Sequence, residues 1–300
     1  MQLPHLLGNE GLKQSLSHLP AGGLGSAVLI DGPAGSGKRT AAGDLCQALL
    51  CSAQNPPCGH CPACRRAEAG SHPDLFWLEE SEPGKGVKLE QIRALRAQSF
   101  LRPSEAACKL FVIPHADRLN IPSQNALLKV LEEPASSLFV LLCENREAML
   151  QTVRSRCKTF RMTPLTQAQL LAALAQRCPE ATEDQRRQAA ARSAGLLGRA
   201  LDILSGSEPP AITAAREFCA ALSGDELTIF TACQGLTRLS RSEYGAFCDE
   251  SCRLLLEQAR QGAVRGIPIF DYLEQQRDML VQNPSVTALA GALAAFCSTC

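Results

Sequence analysis

The sequence predicts a doubly wound α/β domain built around a phosphate-binding loop, followed by all-helical segments. Three observations carry this. Five short apolar runs, at residues 27–30, 75–78, 109–113, 138–142 and 158–162, alternate with amphipathic stretches, the pattern of buried parallel strands joined by right-handed crossover helices. The first run leads into Gly32-Pro33-Ala34-Gly35-Ser36-Gly37-Lys38, which fits G-x-x-x-x-G-K in the strand–loop–helix order that spacing needs. Beyond Pro164 the pattern is helical throughout.

The totals agree with a globular protein. Three hundred residues allow two or three domains with real cores. An apolar content of 45% and a formal net charge of zero argue against disorder and leave nucleic-acid contact to local patches. Aromatics are 4%, too few for a base-stacking platform. Fifteen cysteines, an odd number in a chain of this size, read as reduced thiols with one metal site and not as a disulfide scaffold. The start, Met1 to His5, lacks the basic and apolar regions of a signal peptide, and no apolar run reaches membrane-spanning length; a cytoplasmic protein is expected.

In chain order, residues 1–20 read as a helix around Leu6, Leu12, Leu16 and Leu19, and 21–26 as a Gly-rich turn. In the loop that follows the first strand, Gly32, Gly35 and Gly37 permit a tight turn whose N–H groups face phosphates, and Lys38 adds charge at a helix N-terminus. The next position should hold a magnesium-binding Ser or Thr. It is Arg39, and Thr40 comes one residue late, about 100° round the helix. The loop is expected to pack without turning nucleotide over; whether it holds ATP or ADP is open.

The loop helix ends at Cys51, and Cys51-x6-Cys58-x2-Cys61-x2-Cys64 follows. A C-x2-C turn presents two thiolates to one ion, and four soft ligands leave no open position. A structural zinc module at about 51–70 is therefore expected, with His60 and Cys46 as rivals to Cys51 for the fourth place. Gly70-Ser71-His72-Pro73-Asp74 then turns into the second strand, His72 reading as a turn residue. Residues 79–86 form a charged loop. Residues 87–100 read as a strand edge and then a helix, with Leu89, Ile92 and Leu95 on one face and Arg93 and Arg96 on a solvated one.

The third strand, 109–113, is followed by Pro114 and His115, and then by a helix over 121–133 with Pro122 near its start and Pro134 as its stop. In hydrolysing P-loop proteins the end of this strand carries an Asp for magnesium and often a Glu that orients water. Neither is here. The fourth strand ends near Cys143-Glu144, and a short helix over 148–153 leads into Arg154-Ser155-Arg156-Cys157. Residues 164–206 are Ala- and Gln-rich helices in which 194–198 turn into a helix bearing Arg199. A linker lies at 205–210. From 211 to 300, Phe218, Leu222, Leu227, Phe230, Phe247, Leu254, Leu255, Leu256, Leu273, Leu280, Leu289, Leu293 and Phe296 mark helical periodicity with no catalytic constellation.

The phosphate loop, the four cysteines, Asn125 to Pro134 and Ser155-Arg156-Cys157 occur in one order that resembles the clamp loader of bacterial DNA polymerase III, within the AAA+ ATPases, over about residues 20–205. The resemblance implies an AAA+ domain at 1–163 with its zinc insertion, a helical lid at 164–206 and an all-helical collar at 207–300. It further implies a hetero-pentamer with gamma/tau and delta subunits that places a sliding clamp on primer–template DNA, without membrane contact. The gamma and tau motors keep the strand-end acids, a Thr after the loop lysine and a polar sensor residue; here stand Pro114-His115, Arg39 and roughly Cys143-Glu144. These departures, the Gly70–Asp74 stretch and the length resemble the delta-prime family of subunits, which do not hydrolyse ATP. On that likeness Arg156 acts in trans on a neighbour's nucleotide, and Arg199 corresponds to the lid's sensor arginine. DNA phosphates would be gripped by residues such as Arg93, Arg96 and Arg102, and polymerisation belongs to another subunit. One rival is an active gamma/tau-like ATPase with Asp117 as substitute acid. Another is a zinc module that binds nucleic acid, but 51–70 offers Arg65 and Arg66 and no aromatic.

Overall fold

The computed structural model describes residues 2–17, 24–79, 87–132, 134, 136–207, 209–260, 267–280 and 284–298. Leu19, the first half of the expected turn at 21–26, nearly all of the loop at 79–86 and Glu133 lie outside the described residues. The chain divides into two compact units, Met1–Leu204 and Ser205–Cys300.

The first unit runs α1 (Glu10–Ser17), β1 (Ala27–Asp31), α2 (Lys38–Leu50), α3 (Pro62–Glu68), β2 (Leu75–Trp77), α4 (Leu89–Ser99), β3 (Lys109–Ile113), α5 (Ile121–Glu132), β4 (Ser137–Cys143), α6 (Gln151–Arg154), β5 (Lys158–Arg161), and then α7 (Gln167–Arg177), α8 (Glu183–Arg192) and α9 (Leu197–Leu204). Every strand pairing is parallel and the order is β2-β3-β4-β1-β5. Strands β1, β3 and β4 are buried at every residue, because helices cover both faces; that is why they read as continuous apolar runs. Edge strand β5 buries only Phe160. Register aligns Phe76, Phe111 and Phe139 across three strands, and their rings stack at 5.0 and 5.3 Å, a cross-strand ladder within one face of the core. Helices α7 to α9 close over their own small core of Leu170, Leu174, Ala189, Ala190 and Ala200.

Local chemistry corrects three expected elements. Helix α1 starts only at Glu10, because Gly8 and Asn9 adopt positive φ of 58° and 56°, which no helix continues. Leu6 is buried all the same, in an irregular segment held by Asp44, whose carboxylate accepts the N–H groups of His5 at 2.9 Å and Leu6 at 3.0 Å and meets His5 Nδ1 at 2.6 Å. Val87 and Lys88 form no strand edge; Lys88 N-caps α4, its N–H donating to Gln91 Oε1 at 2.9 Å. The expected helix at 148–153 is a 3-10 turn, Arg146–Ala148, followed by α6.

The 70–74 stretch has a structural use. Asp74 is fully buried and accepts the backbone N–H groups of Ser104, Glu105 and Ala106 at 2.7, 2.8 and 2.9 Å. Burial alone would raise its pKa; the three donors outweigh burial and hold the carboxyl below its usual range. A folded-state pKa below the unfolded one gives stability that is present above the unfolded value, about pH 4, and is lost as pH falls through the folded value. Asp74→Asn is expected to cost about 2–4 kcal/mol at pH 7, and the gap to wild type should narrow below about pH 4. Urea unfolding at both pH values measures it; a gap that does not move with pH would reject this role.

The second unit contains α10 (Pro210–Ala221), α11 (Glu226–Gly235), α12 (Arg241–Arg260), α13 (Ile267–Met279) and α14 (Val286–Cys297). Its core is tied by a buried polar relay: Tyr244 OH donates to Gln276 Oε1 at 2.6 Å, and Gln276 Nε2 donates to the Leu289 carbonyl at 2.9 Å, joining α12, α13 and α14. Phe218 meets Phe247 edge-on at 5.5 Å. Leu227 and Phe230, part of the apolar periodicity, are exposed, since α11 buries Ile229 and Cys233 instead; Leu256 is exposed on α12, which buries Leu255. Among the described residues no helix is long and apolar enough to cross a membrane.

Candidate nucleotide cleft and metal centre

The loop after β1 forms as its glycines dictate. Gly35 and Gly37 take left-handed φ of 76° and 90°, and Gly37 caps α2. The loop borders a cleft of about 340 Å³ at the carboxyl ends of β1, β3 and β4, where strand order reverses and α/β sheets bind ligands. Leu6, Leu7, Leu165, Leu197 and Leu201 make one wall apolar; Lys38, His115 and Glu144 line the polar end.

Lys38 is turned onto its own loop. Its Nζ donates to the carbonyls of Gly32 at 2.7 Å and Pro33 at 2.8 Å and lies 3.8 Å from Glu144 Oε1. Burial lowers its pKa, against the opposing pull of Glu144 and Asp117. Glu144 is 3.8 Å from His115 Nδ1 and 3.5 Å from Arg118 Nη2 as well, a cluster that unites three chain segments and that the sequence reading did not assemble. Strand β3 is followed by Pro114 and His115, the latter at φ 47°. Asp117 is engaged elsewhere, its Oδ2 accepting the Asn145 N–H at 3.1 Å. Arg39 lays its guanidinium over Trp77, 4.9 Å from the ring centre. Thr40 lines the cleft. Cys143 approaches Asp31 at 3.7 Å, and burial pushes its thiol pKa up.

The helical segment after Pro164 meets the loop through two glycines. Gly198 N–H donates to the Gly35 carbonyl at 3.0 Å. A Cβ on Gly198 would stand 2.7 Å from Gly35 Cα, and one on Gly35 would stand 2.9 Å from Arg199 N. Arg199 therefore touches the loop through its backbone; α9 lines the cleft with Leu197, Gly198 and Leu201, and α7 adds Arg177, which the sequence reading did not single out. Gly32 is needed for closeness too, since a Cβ there would lie 2.6 Å from Met162 Cβ.

Arg156 lies away from the residues lining this cleft, exposed on the turn between α6 and β5. Its Nη1 donates to the Thr152 carbonyl at 3.0 Å and its Nη2 to Glu132 Oε1 at 2.8 Å. Arg154 beside it pairs with Glu147. Arg93, Arg96 and Arg102 are exposed, with Arg96 5.9 Å over the Phe100 ring.

Cys51, at the end of α2, and Cys58, Cys61 and Cys64, around the start of α3, bring four sulfur atoms within 4.8 Å of one another. A tetrahedron of about 2.3 Å zinc–sulfur bonds needs edges near 3.8 Å, so the set fits such an ion after small shifts. Cys58 N–H points at Cys51 Sγ and Cys64 N–H at Cys61 Sγ, both at 3.4 Å. The backbone N–H of His60, with that of Cys61, lowers the Cys58 pKa to about 6, while burial pushes Cys64 up to about 12. Four such close thiols are made thiolates together by a cation among them. The rival ligands fall away: Cys46 is buried outside the cluster, and His60 Nδ1 meets the Cys58 carbonyl at 2.7 Å. Gln47 Nε2 fastens the module to α2 through the Cys64 carbonyl at 3.1 Å.

A phosphate loop on a parallel sheet ordered 2-3-4-1-5, with helices docked on the loop and a four-cysteine insertion after its helix, defines a P-loop protein of the AAA+ class. The chain matches the family model described as DNA polymerase III, delta subunit, over residues 9–166, and it belongs to that family, with the delta-prime subunits as relatives. It is 37% identical over 162 residues to the DNA polymerase III subunit delta' of Bacillus subtilis (strain 168), covering 53% of this chain and 46% of that protein. To the delta' subunit of Pseudomonas aeruginosa it is 38% identical over 134 residues, 44% of this chain and 41% of the other. The gamma/tau subunit of Mycobacterium tuberculosis (strain ATCC 25618 / H37Rv) is 32% identical over 180 residues, 58% of this chain and 31% of the other. The matched part thus spans less than half the length of these relatives.

Proposed function

We propose that this chain is the non-hydrolysing delta-prime subunit of a DNA polymerase III clamp loader. It would join gamma/tau and delta subunits in a ring, help to place a sliding clamp on primer–template DNA, and donate Arg156 to the nucleotide of a neighbouring motor. The observation that carries this is the end of β3, where Pro114 and His115 stand in the places of the magnesium-binding and water-orienting acids. Arg39 on Trp77 removes the usual metal hydroxyl, and Asp117 already accepts a backbone N–H. Neither of the positions that serve the metal in P-loop hydrolysis then carries its usual ligand. The four cysteines would hold a structural Zn²⁺, which braces the segment between α2 and β2 and takes no part in hydrolysis.

A gamma/tau-like motor is the second reading, favoured by the longer match to the gamma/tau relative and by Asp117 lying close enough to act on Lys38. ATP hydrolysis separates the two. The purified chain is expected to be silent, and to support DNA-stimulated turnover when mixed with motor and delta subunits, clamp and primed DNA. Robust turnover by the chain alone, abolished by Lys38→Ala, would establish the motor instead.

A further inference from the structure

The polar end of the cleft already contains an anion. Glu144, just beyond β4, is faced by two cations from two separate segments, Lys38 Nζ at 3.8 Å and Arg118 Nη2 at 3.5 Å, and by His115 Nδ1 at 3.8 Å. Lys38 has three donors; two are taken by the Gly32 and Pro33 carbonyls, and Glu144 is the nearest carboxylate beyond them. In a phosphate loop that lysine is the group that reaches the outer phosphates. A phosphate approaching Lys38 from the cleft would therefore meet the Glu144 carboxylate within a few ångström, and like charges that close disfavour each other strongly in a partly buried site. Asp31 and Asp117 also act on Lys38. Leu6, Leu7, Leu165, Leu197 and Leu201 line the rest of the cleft, together with Arg177.

We propose that Glu144 is a built-in counter-anion that excludes polyphosphates from the cleft, so that this loop selects against nucleotides by charge while its backbone keeps the phosphate-binding form. The proposal rests on reading the cleft as a non-hydrolysing phosphate-loop site, and not on the role in a ring.

Titration calorimetry of the full chain tests it, with ADP, pyrophosphate and adenosine as probes, in EDTA and separately with Mg²⁺, at low ionic strength. In EDTA, Glu144→Gln should tighten ADP and pyrophosphate at least tenfold over wild type. Glu144→Asp should keep the exclusion, and adding Lys38→Met to E144Q should erase the gain. Adenosine, without phosphate, should respond equally to wild type and E144Q. Circular dichroism establishes that each variant is folded, and Glu144→Ser serves should the Gln variant fail to fold. Equal ADP affinity in wild type and the folded neutral variants overturns the proposal, as does an equal gain for adenosine. Wild-type binding of Mg–ADP that E144Q abolishes overturns it too, since Glu144 would then be a metal ligand. None of these readouts depends on partner subunits, so failure here leaves the silence of the chain in hydrolysis, and its effect on motor subunits, to be judged separately.

Discussion

Arg156→Ala is expected to leave the isolated chain folded and to lower DNA-dependent ATP hydrolysis by the reconstituted loader. At the motor site it would face, a trans-acting arginine is worth roughly 10³–10⁵ in rate; the whole assembly should lose that site's share of turnover. The stability cost should be small. Arg156 binds the Thr152 carbonyl and an exposed Glu132 carboxylate, and exposed pairs of this kind contribute about 0–1 kcal/mol. The same weakness suits a side chain that must exchange its partner for a phosphate. Arg156→Lys should be nearly as defective, because a point charge does not reproduce the planar fork of a guanidinium. Arg154→Ala is the control: that side chain is held by Glu147, and hydrolysis should change little. Steady-state ATPase with clamp and primed DNA measures all three, and unchanged turnover in Arg156→Ala would remove the trans role.

Metal removal, or Cys58→Ser together with Cys61→Ser, should lower the melting temperature markedly without creating or removing activity in the isolated chain. The four thiols converge from the end of α2 and the start of α3, in a segment with no strand of its own, so the ion supplies what a core otherwise would. A loss of about 4 kcal/mol corresponds to roughly 8–16 °C in a unit of this size. Metal analysis of the purified chain should find about one zinc per chain, as four thiolates prefer. A metal-free protein with an unchanged melt would reject the site.

The legible features were those whose physics is local. Buried parallel strands must be apolar at every residue, so β1, β3 and β4 stand out as runs. A phosphate loop needs its glycines and lysine consecutively, and thiolate turns need their cysteines three apart. Pro114-His115 in place of acids is read from two letters. Periodicity did less well in the second unit: the spacing that marks Leu227 and Phe230 as helical does not tell which face α11 buries, and it buries Ile229 and Cys233. The rivalry of Cys46, His60 and Cys51 for the fourth ligand also needed coordinates.

By itself, then, the sequence determined the α/β phosphate-loop class, the missing acids and the closely spaced Cys58, Cys61 and Cys64, because each is written in neighbouring residues or in a strand's composition, while Arg156 was a candidate through the family resemblance of Ser155-Arg156-Cys157. Tertiary structure alone decided the long-range polar contacts. Asp44 holds a segment 38 residues before it, Asp74 holds a loop 30 residues after it, Gly35 meets Gly198 through a backbone hydrogen bond, and Glu144 gathers Lys38, His115 and Arg118. A charged or small residue satisfies such a role by where the sheet order carries it, and composition leaves no trace of that.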